Sequence, residues 1–519
     1  MAPRSYSVWA RVSSLYTISI SVPVGLYISV PFCRTKCSYC NFASDVFSKS
    51  AYENYVARLL EDIANARQVA AALGCALGSA LAGLLDDAAD SIYLGGGTPS
   101  ILDASQLLHI FAAVRGQFAL TSDAEITVEC APGTLTPALI ETLLQCGVNR
   151  VSLGVQSFVD REAQSVGRLH KRSTVLEEIG RLRDAGLANI SIDLIAGLPH
   201  QTEESWAFSV SETIATGVPH VSVYMLEVDD DSRLGRELIA GGARYHAHFV
   251  PDDDATADFY QQACEMLDAA GIAQYEISNF ARTEPLSQNG KLQNFESRHN
   301  LKYWTRQPYL GFGVDAHSML EQLGERRASS PVRVGTAALG CPADRSSAPV
   351  YGQGDLGLTL AALGIEADHH QALRFASPDS LDAYMNRKPH AVTPVSAEAA
   401  IEETFFLGLR LNRGIDLARL HSESRFWEGH DICRAINVTG GPPSAAEATR
   451  VSQQELNAIT VWESAIHQCV QDGLLVQQGT ILRLTARGRL LSNEVFARFL
   501  AEKPDGGRRK GSPIKGTDC

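Results

Sequence analysis

The chain has 519 residues, which at about 150 residues per domain corresponds to roughly three domains. Apolar residues make up 45% and charged residues 20%, values that exclude collagen, coiled coil and wholesale disorder. Forty-five Lys and Arg against 59 Asp and Glu leave a net charge of −14, which argues against a general affinity for nucleic acid or anionic membrane.

No apolar run reaches the ~18 residues of a membrane span. Eleven cysteines are too few and too scattered for a disulfide scaffold, and free thiols in this number suit a reducing, cytoplasmic compartment.

Residues 1–24 read as a disordered leader. Arg4, Arg11, many serines and no acidic residue before Asp45 also give this stretch the look of a targeting segment. From Gly25 onward, short β-branched runs alternate with helical stretches. The runs are 25–30, 91–94, 124–130, 150–155, 189–195 and 220–228; the helical stretches are 51–72, 105–115, 137–146, 173–185 and 203–216. Six strand–helix units predict an α/β fold, a partial (β/α)6 TIM-like barrel over 25–250 with its chemistry at the strands' C-terminal ends.

Residues 70–89, rich in Ala, Gly and Leu, read as an extended helix or an insertion. Residues 251–325 form an extension carrying His299-Asn300-Leu301-Lys302-Tyr303-Trp304. A Gly/Ser/Ala/Pro insertion follows at 326–357, then a connecting segment at 358–395. Residues 396–500 predict a mostly helical domain. Its order from Gln454 is helix, short hairpin (474–476 and 481–484 about a turn at 477–479) and last helix (487–500), which resembles a winged helix. The polar tail 501–519 reads as disordered.

Cys33, Cys37 and Cys40 are the strongest signal. Thiolates bind zinc or iron–sulfur clusters, and no fourth ligand for zinc is offered within the loop. Three cysteines can hold a [4Fe–4S] cluster with one iron open. Tyr39 and Phe42 flank Cys40 and can shield it. The Gly95-Gly96-Gly97-Thr98 turn ends the second strand and lets backbone approach a ligand. Glu129, Gln156, Arg168 and Asp193 lie at or just beyond later strand ends, where acids, an amide and a guanidinium can bind hydroxyls and a carboxylate.

The CxxxCxxC motif after the first strand resembles the radical SAM superfamily. That resemblance implies that S-adenosylmethionine (SAM) chelates the open iron and is cleaved by an electron from the cluster, the protein supplying position and electrostatics. LYISVPFC, GGGTPS, RVSLGVQSF, GRLH and DLIAGLPHQT narrow it to the oxygen-independent coproporphyrinogen III oxidase family. By that match Tyr27, Tyr39, Gly96, Gly97, Thr98, Glu129, Gln156, Arg168 and Asp193 fall on SAM-contacting positions. The true oxidases carry a fourth cysteine two residues after the third and a longer N-terminal arm; here Phe42 stands at that position. Phe42 and the HNLKYW motif are similar instead to the sister group of heme chaperones, HemW. That resemblance implies a heme-binding protein without coproporphyrinogen III dehydrogenase activity, delivering heme to an acceptor hemoprotein such as one of the respiratory chain. Oxidase activity is the alternative. His299, Tyr303 and Trp304 become candidate heme contacts, with the His299 imidazole as axial ligand and the two rings against the porphyrin; His317 and His170 are weaker candidates. Ser29 departs from the histidine frequent at its position in the family. A peripheral membrane contact and the oligomeric state are left open.

Overall fold

The computed structural model describes residues 22–73, 75, 88–285, 292–321, 370–420 and 462–500. Most of the leader, most of 70–89, the insertion 326–357, the segment around Gln454 and the tail lie outside them.

Six parallel strands lie in chain order: β1 (Val24–Val30), β2 (Ala88–Gly96), β3 (Ala119–Cys130), β4 (Arg150–Gln156), β5 (Ile190–Ala196) and β6 (His220–Met225). The predicted helices follow them at Ala104–Gln117, Pro137–Gln145, Arg172–Asp184 and Glu203–Thr216, each connecting parallel neighbours as a βα barrel requires. The first predicted helix breaks at Asn65 into Lys49–Ala64 and Ala66–Ala72.

Alternation along the strands sorts the residues onto two faces. Leu26, Ile28 and Val30 of β1, Ile126 and Val128 of β3, and Ile190, Ile192 and Leu194 of β5 join the apolar core shared with the helices. The other face is polar: Tyr27 and Ser29, Ser91 and Tyr93, Glu125, Thr127 and Glu129, Arg150 and Ser152, Ser191 and Asp193, His220 and Ser222. In register, Gly25 lies beside Ser91 and Ser91 beside Glu125, so these residues form layers. Their polar atoms pair across the interior, as in His220 Nδ1 with Ser191 Oγ at 2.8 Å and Arg150 Nη1 donating to Phe295 O at 2.9 Å. What remains is a cavity of about 10 Å3, the threshold for a single water.

The sheet does not stop at the barrel. β7 (Ala273–Gln274) and β8 (Asn279–Ala281) extend it antiparallel beyond β6; β9 (Thr283–Pro285) and β10 (Leu292–Asn294) pair separately. At the other edge β11 (Tyr309–Phe312) runs parallel to β1, followed by β12 (His317–Glu321), β13 (His370–Ala376) and β14 (Ala391–Ser396). The segment 358–395, read from sequence as connection, therefore carries β13 and all but the last residue of β14. The C-terminal region has its own core, with Phe405, Leu409, Ile415, Leu482 and Val495 packed together. There β15 (Ile415–Asp416) pairs with β17 (Ile481–Leu484), which pairs with β16 (Leu475–Gln478). The hairpin turn is the two residues Gly479-Thr480, with Gly479 at φ +62°, later than the expected 477–479. A two-residue hairpin loop takes positive φ, which glycine supplies without strain. The last predicted helix is two, Ala486–Leu490 and Ser492–Ala497.

No helix among the described residues is long and apolar enough to cross a membrane.

Candidate functional site at the barrel rim

The cysteine loop leaves β1 through Pro31-Phe32. Phe32 is fully buried against Tyr52 and Tyr55, with ring centroids 4.1 and 5.1 Å away, which anchors the start of the loop. Cys33 N donates to Asp45 O and Asp45 N to Pro31 O, closing its ends, and Lys36 Nζ donates to the Phe42 and Ser44 carbonyls from inside. Ser38 N donates to Val166 O, and Thr35 Oγ1 to Gly167 O, fastening the loop to the segment after β4.

All three cysteines are free thiols, Cys37 buried and the others partly so. Thr98 Oγ1 donates to Cys33 Sγ at 3.7 Å, and Arg168 Nη1 to Cys37 Sγ at 3.8 Å. Burial raises the Cys33 and Cys40 thiols, against hydrogen bonds to Cys33 and the nearby Lys36 charge, which lower them. Among the described residues no three His, Cys, Asp or Glu side chains converge as a single metal ion requires. A cluster asks something different: each thiolate takes its own iron. Three thiols on one loop, with hydroxyl and guanidinium donors at the sulfurs, fit that demand.

The glycine turn lies beside the loop. Gly97 N donates to Val30 O, and a Cβ on Gly97 would sit 2.6 Å from Phe32 O. Gly96 has φ +100°, and its N–H donates to Glu129 Oε2 at 3.1 Å. Tyr93 OH donates to the other Glu129 oxygen at 2.9 Å. Burial dominates the electrostatics of this carboxyl: desolvation, helped by the Asp193 charge, pushes it up to about 7 against those two bonds. Asp193 is also raised by burial, opposed by bonds from Ser222, Ser152 and Ser191. Ser152 Oγ lies 3.0 Å from both Asp193 oxygens. Gln156 has φ +68° and Arg168 bonds Gly154 O; Gln156 Oε1 and Arg168 Nε are buried without a hydrogen-bond partner. Tyr39 packs with Val166, Ile195 and Leu198, and Tyr27 stacks on Tyr93 at 6.2 Å. Orphaned buried polar atoms beside glycines and carboxylates fit a polar ligand seated at this rim.

A raised carboxyl is a stability statement. The native state prefers Glu129 protonated, so it loses stability as pH rises from the unfolded value near 4.5 through about 7. The ceiling is about 3 kcal/mol. Thermal melts of cluster-free protein between pH 5 and 8 should fall more steeply for wild type than for Glu129→Gln. Parallel curves would show that this carboxyl titrates in the ordinary range.

The HNLKYW motif lies elsewhere. The helix Arg298–Trp304 plugs the barrel from the strands' N-terminal side. Its first amides are capped by Glu125 of β3: Arg298 N and His299 N donate to the two carboxylate oxygens at 3.1 and 3.2 Å. His299 is fully buried, with Nδ1 3.0 Å from Ser91 Oγ and Nε2 2.8 Å from Tyr303 OH. Lys302 Nζ pairs with Asp90 Oδ1 at 2.8 Å. A Cβ on Gly25 would meet Lys302 Cδ at 2.6 Å, so only glycine admits the helix this closely. Tyr303 packs edge-on against Tyr309 at 4.5 Å, and Arg410 covers the Trp304 ring at 4.3 Å. In the structure both His299 nitrogens are engaged inside the barrel and the Tyr303 and Trp304 rings are packed against protein. Of the weaker candidates, His170 Nε2 bonds Val155 O and burial pushes it down to about 4, while His317 is half-exposed beside Asp315.

Reasoning on motifs missed Tyr93, Ser152 and Arg150. Their signal was the polar alternation of the strands.

The fold and the cysteine rim define a radical SAM protein, and the Radical SAM superfamily model matches residues 27–210. The chain is 30% identical over 477 residues to the heme chaperone HemW of Bacillus subtilis, spanning 92% of this chain and 99% of that one. It is 33% identical over 296 residues to heme chaperone HemW of Escherichia coli, spanning 57% and 70%. The mouse protein "Radical S-adenosyl methionine domain-containing protein 1, mitochondrial" is 31% identical over 318 residues, spanning 61% and 65%. Among solved structures, coproporphyrinogen III oxidase (HemN) from Escherichia coli superposes with a TM-score of 0.61 at 18% identity, covering 92% of this chain and 90% of that one, a likeness of fold. The chain belongs to the heme chaperone HemW family.

Proposed function

We propose that this chain is a heme chaperone, a radical SAM protein that binds heme and passes it to an acceptor hemoprotein. The observation that carries the reading is similarity to a curated heme chaperone along 92% of this chain and 99% of that one. Phe42, where the oxidases place a fourth cysteine, supports it against the oxidase alternative.

In this reading Cys33, Cys37 and Cys40 hold a [4Fe–4S] cluster, which with SAM supplies one-electron chemistry when bound. Thr98 and Arg168 donate to the thiolate sulfurs and stabilise their charge. Gly96 and Gly97 bring backbone to the methionine end of SAM, and Glu129 fixes the turn through the Gly96 amide. Gln156, Arg168 and Asp193, with Tyr27 and Tyr39 alongside, form the remaining polar wall. The cytoplasm, with its reduced thiols, is the compartment this chemistry suits.

The deciding experiment is an anaerobic assay of the cluster-loaded protein with SAM, reductant and coproporphyrinogen III, run beside a heme titration. We expect stoichiometric heme binding and no protoporphyrinogen IX. Multiple-turnover vinyl formation would hand the chain to the oxidase reading. In the same preparation Asp193→Ala should weaken SAM binding by about 1.5–3 kcal/mol, the scale of a bond to a charged acceptor, with iron content unchanged. Unaltered SAM affinity would remove Asp193 from the site.

A further inference from the structure

The HNLKYW plug and the glycine turn of the rim stand at opposite ends of the barrel, and Tyr93 joins them. Tyr93 is buried on the polar face of β2, beside Tyr27 of β1 and Thr127 of β3 in register. On the plug side the His299 imidazole stacks on its ring, with centroids 5.4 Å apart and planes at 29°. Tyr27 stacks on both rings, at 6.2 and 6.3 Å. The plug also holds the same strand one step lower, where His299 Nδ1 lies 3.0 Å from Ser91 Oγ.

On the rim side the Tyr93 hydroxyl donates to Glu129 Oε1 at 2.9 Å, and Glu129 Oε2 accepts from Gly96 N at 3.1 Å. Glu129 lies two residues beyond Thr127, on the same face of β3. The fit is close: a Cβ on Gly95 would stand 2.9 Å from both Glu129 Oε1 and Tyr93 Cε1. A residue without a side chain there lets the hydroxyl and the carboxylate meet. Tyrosine suits the position on two counts. Phenylalanine would cover the imidazole but could not hold the carboxylate; serine could donate but would not span the distance from the strand. A binding group kept within about 0.5 Å of its working place needs support of this kind.

We propose that Tyr93 is a positioning residue of the SAM site: seated on the His299 imidazole, it holds Glu129, and through Glu129 the Gly96 amide, where the methionine end of the ligand binds. The proposal rests on the reading of the rim as a SAM site, and it gives the HNLKYW motif a part in that site at a distance.

Electrostatics supply a readout. Burial pushes the Glu129 carboxyl up to about 7, and the Asp193 charge on β5 acts the same way; the Tyr93 hydroxyl, the Gly96 amide and the Arg168 guanidinium after β4 oppose them. A charged Glu129 holds the Gly96 amide more firmly and attracts the sulfonium cation. SAM affinity should therefore rise with pH through about 7. Without the Tyr93 hydroxyl the carboxyl is pushed higher still, and the rise moves to higher pH.

The test measures SAM binding to cluster-loaded, full-length protein between pH 6 and 8, by the dissociation constant and the EPR spectrum of the reduced cluster. Iron content and thermal melting report folding. Tyr93→Phe should keep its iron and bind SAM about three- to tenfold more weakly near neutral pH, with its pH profile displaced upward. Glu129→Ala should lose that part of the profile, and adding Tyr93→Phe to it should cost nothing further. His299→Ala, held below its melting temperature, should also weaken SAM binding. Wild-type affinity in Tyr93→Phe, or an affinity lowered equally at every pH, would overturn the proposal. Wild-type affinity in His299→Ala would remove the plug from it. If wild type binds no SAM, the reading of the rim as a SAM site falls first.

Discussion

Anaerobically reconstituted protein should carry about four irons with thiolate-to-iron absorption, and changing Cys33, Cys37 or Cys40 to alanine should abolish both. The three thiols are the described cysteines that share one loop. Cys130 and Cys264 are held far from ionisation by burial, Cys264 up to about 11, and each stands alone on its own element. Alanine at Cys130 or Cys264 should leave loading intact. Because burial also raises Cys33 and Cys40, metal must displace protons there. Loading should accordingly be faster at pH 8.5 than at pH 7, more steeply so than for an exposed thiol. The measurement is iron and sulfide content with the visible spectrum. Full loading of the triple alanine variant would remove the cluster from this loop.

The barrel was legible in the chain because its strands carry two signals at once. Residues 150–155 and 190–195 are β-branched and apolar on one alternation and polar on the other. The apolar half gave the strands. The polar half looked like noise until registration put Ser91 beside Glu125, and Gly154 beside Asp193, around a common axis. Helix ends were read best where a cap or stop was local. Thr202 accepts from Ser205 N at the start of Glu203–Thr216, and Gly217 at φ +68° ends it. The hairpin turn slipped because glutamines at 477–478 are equally at home in turn or strand, and the position of Gly479 decided the matter. β13 and β14 were unreadable as sheet because β13's partner β12 lies about fifty residues earlier, across the insertion, and β14 joins the sheet only through β13.

At the site, spacing and strand ends are local properties, which is why the cysteines and the residues that the fold gathers at the rim could be picked out along the chain. Their orientation was not legible. Glu129, read as facing a ligand directly, bonds Tyr93 and the Gly96 amide and acts on the glycine turn. The surroundings of the HNLKYW motif were not legible for a different reason. A histidine followed by Tyr and Trp has the chemistry of a heme contact. Only the fold shows that Glu125, Ser91 and Gly25, some 170 to 280 residues upstream, have already claimed the helix.

His299→Ala should therefore fail as a heme-ligand mutation and succeed as a stability mutation. The change leaves a cavity in a closed interior and strips partners from Ser91 Oγ and Tyr303 OH, for a cost of about 2–5 kcal/mol. Burial, with the Lys302 charge nearby, pushes the imidazole down to about 3. A histidine lowered in the native state contributes stability above its unfolded value near 6.5 that is lost as pH falls toward 3. Wild type should thus be more acid-labile than His299→Ala, and the two melting curves should converge on acidification. Tyr303→Phe keeps the ring against Tyr309 and removes only the hydroxyl at His299 Nε2, so it should cost about 1–2 kcal/mol. In a hemin titration both variants should keep the wild-type Soret position while folded. An unchanged melting temperature in His299→Ala, together with a lost axial-imidazole spectrum, would overturn the plug and return this histidine to the iron.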